Sequence, residues 1–175
     1  HHRYLHSFPT RRSSDLSLRN VAPTVLAASV TGEAIRRSGT GADSVGHVFF
    51  GQVIPTGPDD AYLARIATLH AGLPSSVPAL TLNRLCGSGL QAVLSAAQAI
   101  MLGDVDIAVA GGAECMSRAP FLSTSTRWGN KMGDVALLDT LTGALTDPFN
   151  RILMGVTAEN VATRHGISRL EQDAL

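Results

Sequence analysis

Apolar residues recur at helical spacing in several segments of the chain. The strongest case covers residues 87–102, where the apolar positions follow the i, i+3, i+4, i+7 pattern of one helix face. The same spacing predicts a helix over residues 22–37, which Gly39 and Gly41 end. Weaker patterns predict helices over 59–70, from about 157 to 166, and from 168 onward.

Short runs of β-branched, aromatic and small apolar residues alternate with these helices. They predict strands over residues 45–54, 79–85 and 106–110. The last run has an apolar centre, so we expect it in the middle of the sheet, where both faces are covered. Strands that alternate with helices predict an α/β fold in layers, with a mixed, mostly parallel sheet and helices on both faces.

The pattern weakens beyond residue 114 and has little periodicity before residue 17. We therefore predict an α/β core over residues 17–114 and the start of a loop or cap region over residues 115–175. Residues 1–16 hold three of the six histidines, and we expect them to be a non-native or disordered tail. The chain stops inside a predicted helix, which favours an incomplete sequence.

Composition excludes several classes of protein. Apolar residues make up 45% of the chain and charged residues 16%, as suits a compact domain. The 14 basic and 14 acidic residues balance, which argues against a nucleic-acid partner. No apolar run reaches the ~20 residues of a membrane span. Two cysteines do not make a disulfide scaffold or a multi-cysteine zinc site, so we expect no bound metal and a cytoplasmic location.

The clearest chemistry is at Cys86. A predicted strand ends there, and Gly-Ser-Gly and a long apolar helix follow. Free N–H groups and the helix dipole at a helix N-terminus stabilise a thiolate and an oxyanion. Cys86 is therefore a candidate nucleophile for acyl transfer. The alternative is a buried cysteine that packs as a small apolar residue.

The same turn allows a second interpretation. Residues 87–92, GSGLQA, match the pattern G-x-G-x-x-A between a strand and a helix, and Glu114 follows the next strand. This is the outline of a dinucleotide-binding turn and would indicate an oxidoreductase domain. Cys86 has no role in that interpretation.

Long motifs along the chain carry a family resemblance. NRLCGSGLQAV, DIAVAGGAECMSRAP, RWGNKMGD, LTDPFN and MGVTAENVA occur in this order between residues 18 and 175. Together they resemble the N-terminal half of a thiolase, and among thiolases the acetyl-CoA acetyltransferase and β-ketothiolase group.

The resemblance implies an activity and a site. Cys86 matches the cysteine that thiolases acylate, and coenzyme A and acyl-CoA would be substrates, with no bound cofactor. The enzyme would transfer an acyl group between this cysteine and CoA or a second acyl-CoA. Met154 matches a methionine that lines the acyl pocket, although Leu153 replaces the histidine common before it. The full-length protein is expected to be a homo-oligomer, a dimer or tetramer; residues that bind CoA stay unassigned.

The resemblance also implies what these residues lack. The G-H-P, C-x-G-x-G and N-E-A-F motifs of the C-terminal half do not occur in the 175 residues, so we expect the chain to be inactive alone. The opening strand of the family is missing too, which we expect to leave a gap in the sheet. A lone half should expose an apolar layer and be poorly soluble. A non-catalytic half that pairs with another subunit remains a further alternative.

Other candidate residues receive structural roles. Cys115 is expected to pack structurally, and Asn83 and Arg84 to support the loop of Cys86. The isolated histidines His47, His70 and His165 lack metal-like spacing and are expected to pack or to lie on the surface. The resemblance places Arg118, Arg127 and Lys131 in a region that forms a tetramerisation loop and covers the CoA site; a solvated basic loop is the alternative.

Overall fold

A computed structural model describes residues 17–175, so the predicted tail over residues 1–16 lies outside the described residues. The helices are α1 Pro23–Ser38, α2 Leu63–His70, α3 Ser88–Met101, α4 Thr140–Ala144, α5 Met154–His165 and α6 Arg169–Ala174. The strands are β1 His47–Gly51, β2 Ala79–Leu82, β3 Ala108–Gly112, β4 Phe121–Leu122 and β5 Leu138–Asp139. Short 3-10 turns cover Ala42–Ser44, Pro58–Tyr62, Met116–Arg118 and Thr126–Trp128.

Three parallel strands form the main sheet, in the order β2-β1-β3. Phe49 of β1 lies opposite Leu80 on one side and Ala110 on the other. The parallel sheet was predicted, but two expectations are wrong. The described sheet has no gap, because β1 pairs with both neighbours in continuous register. The middle strand is β1 and not β3, because the bulky side chains of β1 fill both faces of the sheet.

Side chains of β1 alternate between two apolar clusters. Val48 and Phe50 pack with Ala27 of α1 and with the buried residues of α2. Phe49 points the other way and packs with Ala92, Ala96 and Ala99 of α3. The result is three layers, with α1 and α2 on one face of the sheet and α3 on the other. Helices on both faces were predicted, and the structure confirms them.

Two of the predicted elements, a strand and a helix, have different bounds in the structure. The predicted strand over 79–85 stops at Leu82, and residues 83–87 form a loop. The predicted helix over 59–70 opens with the 3-10 turn Pro58–Tyr62 before α2 begins. The end of α1 agrees with the sequence, because Gly39 has the left-handed φ of 70° that ends helices.

Helix α3 has one buried and one uncovered face. Its buried residues are small, Ser88 and three alanines, which lets the helix lie close to the sheet. Its long apolar side chains point to solvent, and Leu90 is 66% and Met101 85% exposed. The apolar layer expected of a lone half is therefore present on α3, whereas poor solubility stays a prediction.

The end of β1 lies against the first turn of α3. A Cβ on Gly51 would lie 2.7 Å from both the carbonyl carbon and the Cβ of Ser88. Any side chain at residue 51 would therefore push the start of α3 off the sheet. Glycine is required there by the close approach of two elements and not by its own backbone angle.

We expect Gly51→Ala to lower the free energy of unfolding by about 1–3 kcal/mol, as overpacking does in other cores. Urea denaturation of the purified chain measures this. Gly57→Ala is the matched control, since Gly57 has an extended φ of −175° and nothing within 4 Å of an added Cβ. Equal unfolding midpoints for the two variants would contradict the close contact.

Candidate active site

Cys86 lies in a loop at the carboxyl edge of the sheet. We call residues 83–87 the nucleophile loop; it joins β2 to α3, and Gly87 caps the helix. The Cys86 side chain is exposed. Parallel strands place their following loops at one edge, where α/β proteins bind ligands. The position at a helix N-terminus agrees with the sequence prediction.

Ser88 holds the nucleophile loop in a sharp bend. Leu85 has a φ of 48°, a left-handed backbone that costs a non-glycine residue roughly 1–2 kcal/mol. The buried Ser88 hydroxyl donates to the Leu85 carbonyl at 2.6 Å and accepts from the Arg84 N–H at 2.9 Å. Such bonds contribute roughly 0.5–1.5 kcal/mol each, enough to offset the strain. The bend turns Cys86 outward, away from the buried face of α3.

Backbone bonds close the same bend. The Gly87 N–H donates to the Arg84 carbonyl at 3.1 Å, and the Ser88 N–H donates to the Leu85 carbonyl at 2.9 Å. The Arg84 guanidinium bonds the Gln91 side chain one turn into α3. The Asn83 side-chain oxygen accepts the Leu85 N–H at 2.8 Å. Asn83 and Arg84 therefore support the loop of Cys86, as the sequence predicted.

Glu114 anchors the neighbouring loop after β1. Its carboxylate accepts from the Val53 N–H at 2.8 Å and from the Ile54 N–H at 3.1 Å. Both oxygens are thus bound to backbone, which argues against the ribose-binding role that the dinucleotide interpretation needs. The sequence did not reveal this anchoring role, since the bonds join residues about sixty positions apart along the chain.

Met154 is the first residue of α5, and Leu153 is its N-cap. The Met154 N–H donates to the Leu145 carbonyl at 2.9 Å, and the side chain is 41% exposed. Before it, the Asp147 carboxylate accepts from the backbone N–H of Phe149 and from Asn150, which lowers the pKa of Asp147 below its usual range. A hydrogen-bonded turn therefore precedes Met154, and its role in an acyl pocket stays a prediction.

The second cysteine and the three isolated histidines among the described residues lie in separate elements. Cys115 is buried, with its Sγ 3.5 Å from Ser117 Oγ, and both cysteines are free thiols. His47 stacks on Phe49 with ring centroids 4.0 Å apart, while His70 and His165 end α2 and α5. Among residues 17–175, no group of three His, Cys, Asp or Glu side chains could hold a metal ion. In the same residues, no helix is long and apolar enough to cross a membrane.

Similarity to known proteins agrees with this geometry. The chain matches the family described as thiolase, N-terminal domain, over residues 9–175. It is 59% identical over 157 residues to the beta-ketothiolase BktB of Cupriavidus necator. It is 47% identical over 163 residues to an acetyl-CoA acetyltransferase of Syntrophomonas wolfei. Each match covers 90% of this chain but 40% of the relative, so the chain spans about 40% of the length of these curated relatives.

Solved structures give the same result. The fold matches the acetyl-CoA acetyltransferase of Bacillus anthracis with a TM-score of 0.82 at 42% identity. It matches human mitochondrial 3-ketoacyl-CoA thiolase, in complex with CoA, with a TM-score of 0.83 at 38% identity. Both matches cover 90% of this chain and 40% of the solved chain. The chain therefore belongs to the thiolase family and corresponds to its N-terminal domain.

Proposed function

We propose that Cys86 accepts an acyl group from an acyl-CoA, as the first half of a thiolase reaction. The observation that carries this proposal is the exposed thiol on a tightly bonded bend at the start of α3. Relatives of the chain that are 59% and 47% identical to it are named beta-ketothiolase and acetyl-CoA acetyltransferase. The substrates of the whole protein would be acyl-CoA and CoA.

The chemistry is a thioester exchange. The Cys86 thiolate forms a bond to the acyl carbonyl carbon, and the bond from that carbon to the CoA sulfur breaks. The CoA thiolate leaves and takes up the proton that Cys86 released. One thioester replaces another, so the covalent intermediate is reached without a large change in bond energy. The Gly87 and Ser88 N–H groups are bonded within the bend, so the next N–H groups of α3 are the ones suited to hold the carbonyl oxygen while it carries charge.

Completing the reaction requires a general base for the second acyl group and an acceptor site for CoA. Thiolases carry that base in motifs that do not occur among these 175 residues. We therefore propose that the chain alone becomes acylated but does not turn over. Homo-oligomer formation by a full-length protein is a further proposal that rests on the family resemblance. A cytoplasmic location is proposed from the two isolated cysteines.

Incubation with acetyl-CoA is expected to add one acetyl group to the chain and to release one equivalent of CoA. Intact-protein mass spectrometry and a thiol assay measure the two products, and peptide mapping should place the acetyl group on Cys86. Cys86→Ala should abolish the reaction, because no other exposed thiol exists among the described residues.

Cys115→Ala is the matched control and should react at the wild-type rate, since the Cys115 thiol is buried. Circular dichroism shows whether each variant is folded. Acetylation that survives in Cys86→Ala, or that depends on Cys115, would contradict the assignment.

We also propose that Met154 contacts the acyl chain, on the strength of its matched position and its accessible side chain. Met154→Ala is expected to change the ratio of Cys86 acylation rates for hexanoyl-CoA and acetyl-CoA about threefold or more, since each buried CH₂ is worth about 0.8 kcal/mol. Met132→Ala is the control, because Met132 is 92% exposed. Identical ratios in both variants would remove Met154 from the acyl site.

A further inference from the structure

The loops after the three parallel strands are joined by side-chain hydrogen bonds. Glu114, after β3, accepts the N–H groups of Val53 and Ile54, after β1. Asn83, after β2, donates from Nδ2 to the Val53 carbonyl at 3.2 Å. The Asn83 Oδ1 accepts the Leu85 N–H at 2.8 Å, inside the nucleophile loop. The carboxylate of Glu114 is thereby connected to the bend that carries Cys86.

The connecting groups are amides that point in one direction. The Ile54 N–H and the Val53 carbonyl belong to one peptide group, which donates to Glu114 and accepts from Asn83. The next peptide group in line contains the Leu85 N–H and the Arg84 carbonyl. It donates to Asn83, and its carbonyl accepts the Gly87 N–H at 3.1 Å. We call this series, from Glu114 to Gly87, the amide relay.

Aligned amides polarise one another, and an anion at the accepting end strengthens the series. The orientation of the Asn83 side chain follows from its neighbours, because its NH₂ faces a carbonyl and its oxygen faces an N–H. If the Asn83 side-chain amide were flipped, its oxygen would face the Val53 carbonyl and its NH₂ group would face the Leu85 N–H. The relay therefore has one arrangement, and that arrangement includes the strained backbone of Leu85 next to Cys86.

We propose that Glu114 and Asn83 are positioning residues for Cys86, acting through the amide relay to aim the thiol at an acyl carbonyl. This proposal rests on the proposed function of Cys86 as acyl acceptor. Glu114 fixes the Val53–Ile54 peptide, and Asn83 transmits that position to the nucleophile loop. Neither side chain reacts with the substrate.

The first test concerns the relay and uses no acyl-CoA. Amide hydrogen exchange of the wild-type chain is compared with Glu114→Gln, whose neutral amide can accept only one of the two N–H groups well. The exchange rate should rise about tenfold at the Ile54 amide, which Glu114 contacts. It should rise severalfold at the Leu85 amide, which Glu114 does not contact. Unchanged exchange at Leu85 would overturn the relay. Glu33→Gln, on the surface of α1, is the control and should leave both amides unchanged.

The second test concerns positioning and compares two reactions of the same thiol. Glu114→Gln and Asn83→Ala should each slow acylation by saturating acetyl-CoA about tenfold, because Glu114→Gln weakens a charge-assisted hydrogen bond and Asn83→Ala removes two neutral ones. Alkylation by iodoacetamide, which needs an accessible thiol but no fixed direction of attack, should change less than twofold. The double variant should be acylated no more slowly than the slower of the two single variants, because both side chains act through one relay.

Ser29→Ala is the control for Asn83→Ala, since the Ser29 side chain also donates to a backbone carbonyl, that of Val25, but lies on α1, outside the relay. The positioning role would be overturned if a variant slowed acylation and alkylation of Cys86 equally. It would also be overturned if the effects of the two substitutions on the acylation rate were additive in the double variant. A wild-type chain that is alkylated but never acylated would overturn the proposed function and the positioning role, while the exchange experiment still decides the relay. Should Glu114→Gln not fold, Asn83→Ala tests the relay at the Ile54 amide, which Asn83 does not contact, and supplies the same comparison of acylation with alkylation.

Discussion

The contact between the end of β1 and the first turn of α3 determines the geometry of the site. Gly51 and Ser88 approach so closely that no side chain fits between them. Ser88 is buried there, and its hydroxyl is left facing the nucleophile loop, where it bonds both Arg84 and Leu85. A contact inside the core thus sets the direction in which an exposed cysteine points.

The parallel sheet brings the other parts of the site together. Because β1, β2 and β3 run in the same direction, their following loops meet at one edge. Glu114 and Asn83 occupy the first or second position beyond two of these strands and bond the loop after the third. Rigid strands with short side-chain connections suit a nucleophile that has to meet a carbonyl carbon at a defined angle.

The uncovered face of α3 contrasts with its buried face. Alanines pack against Phe49 and keep the helix close to the sheet, whereas Leu90 and Met101 remain exposed. Apolar area of this kind is characteristic of surfaces that another protein segment covers. The candidate site at Cys86 lies at the N-terminal end of this helix.

Local patterns in the sequence predicted the alternation of helices and strands, the layered α/β class and the place of Cys86 at the start of a long helix. These features depend on residues near one another in the chain: apolar spacing on a helix face, a left-handed glycine after α1, and a cysteine between a strand and Gly-Ser-Gly. The central place of β1, the bend at Leu85 and the anchoring role of Glu114 could not be predicted in this way. The place of β1 depends on strand order, and the role of Glu114 depends on hydrogen bonds between residues distant in sequence. The bend at Leu85 is bonded locally, but the Ser88 hydroxyl that holds it is placed by the contact of Ser88 with Gly51, which exists only once the sheet has formed.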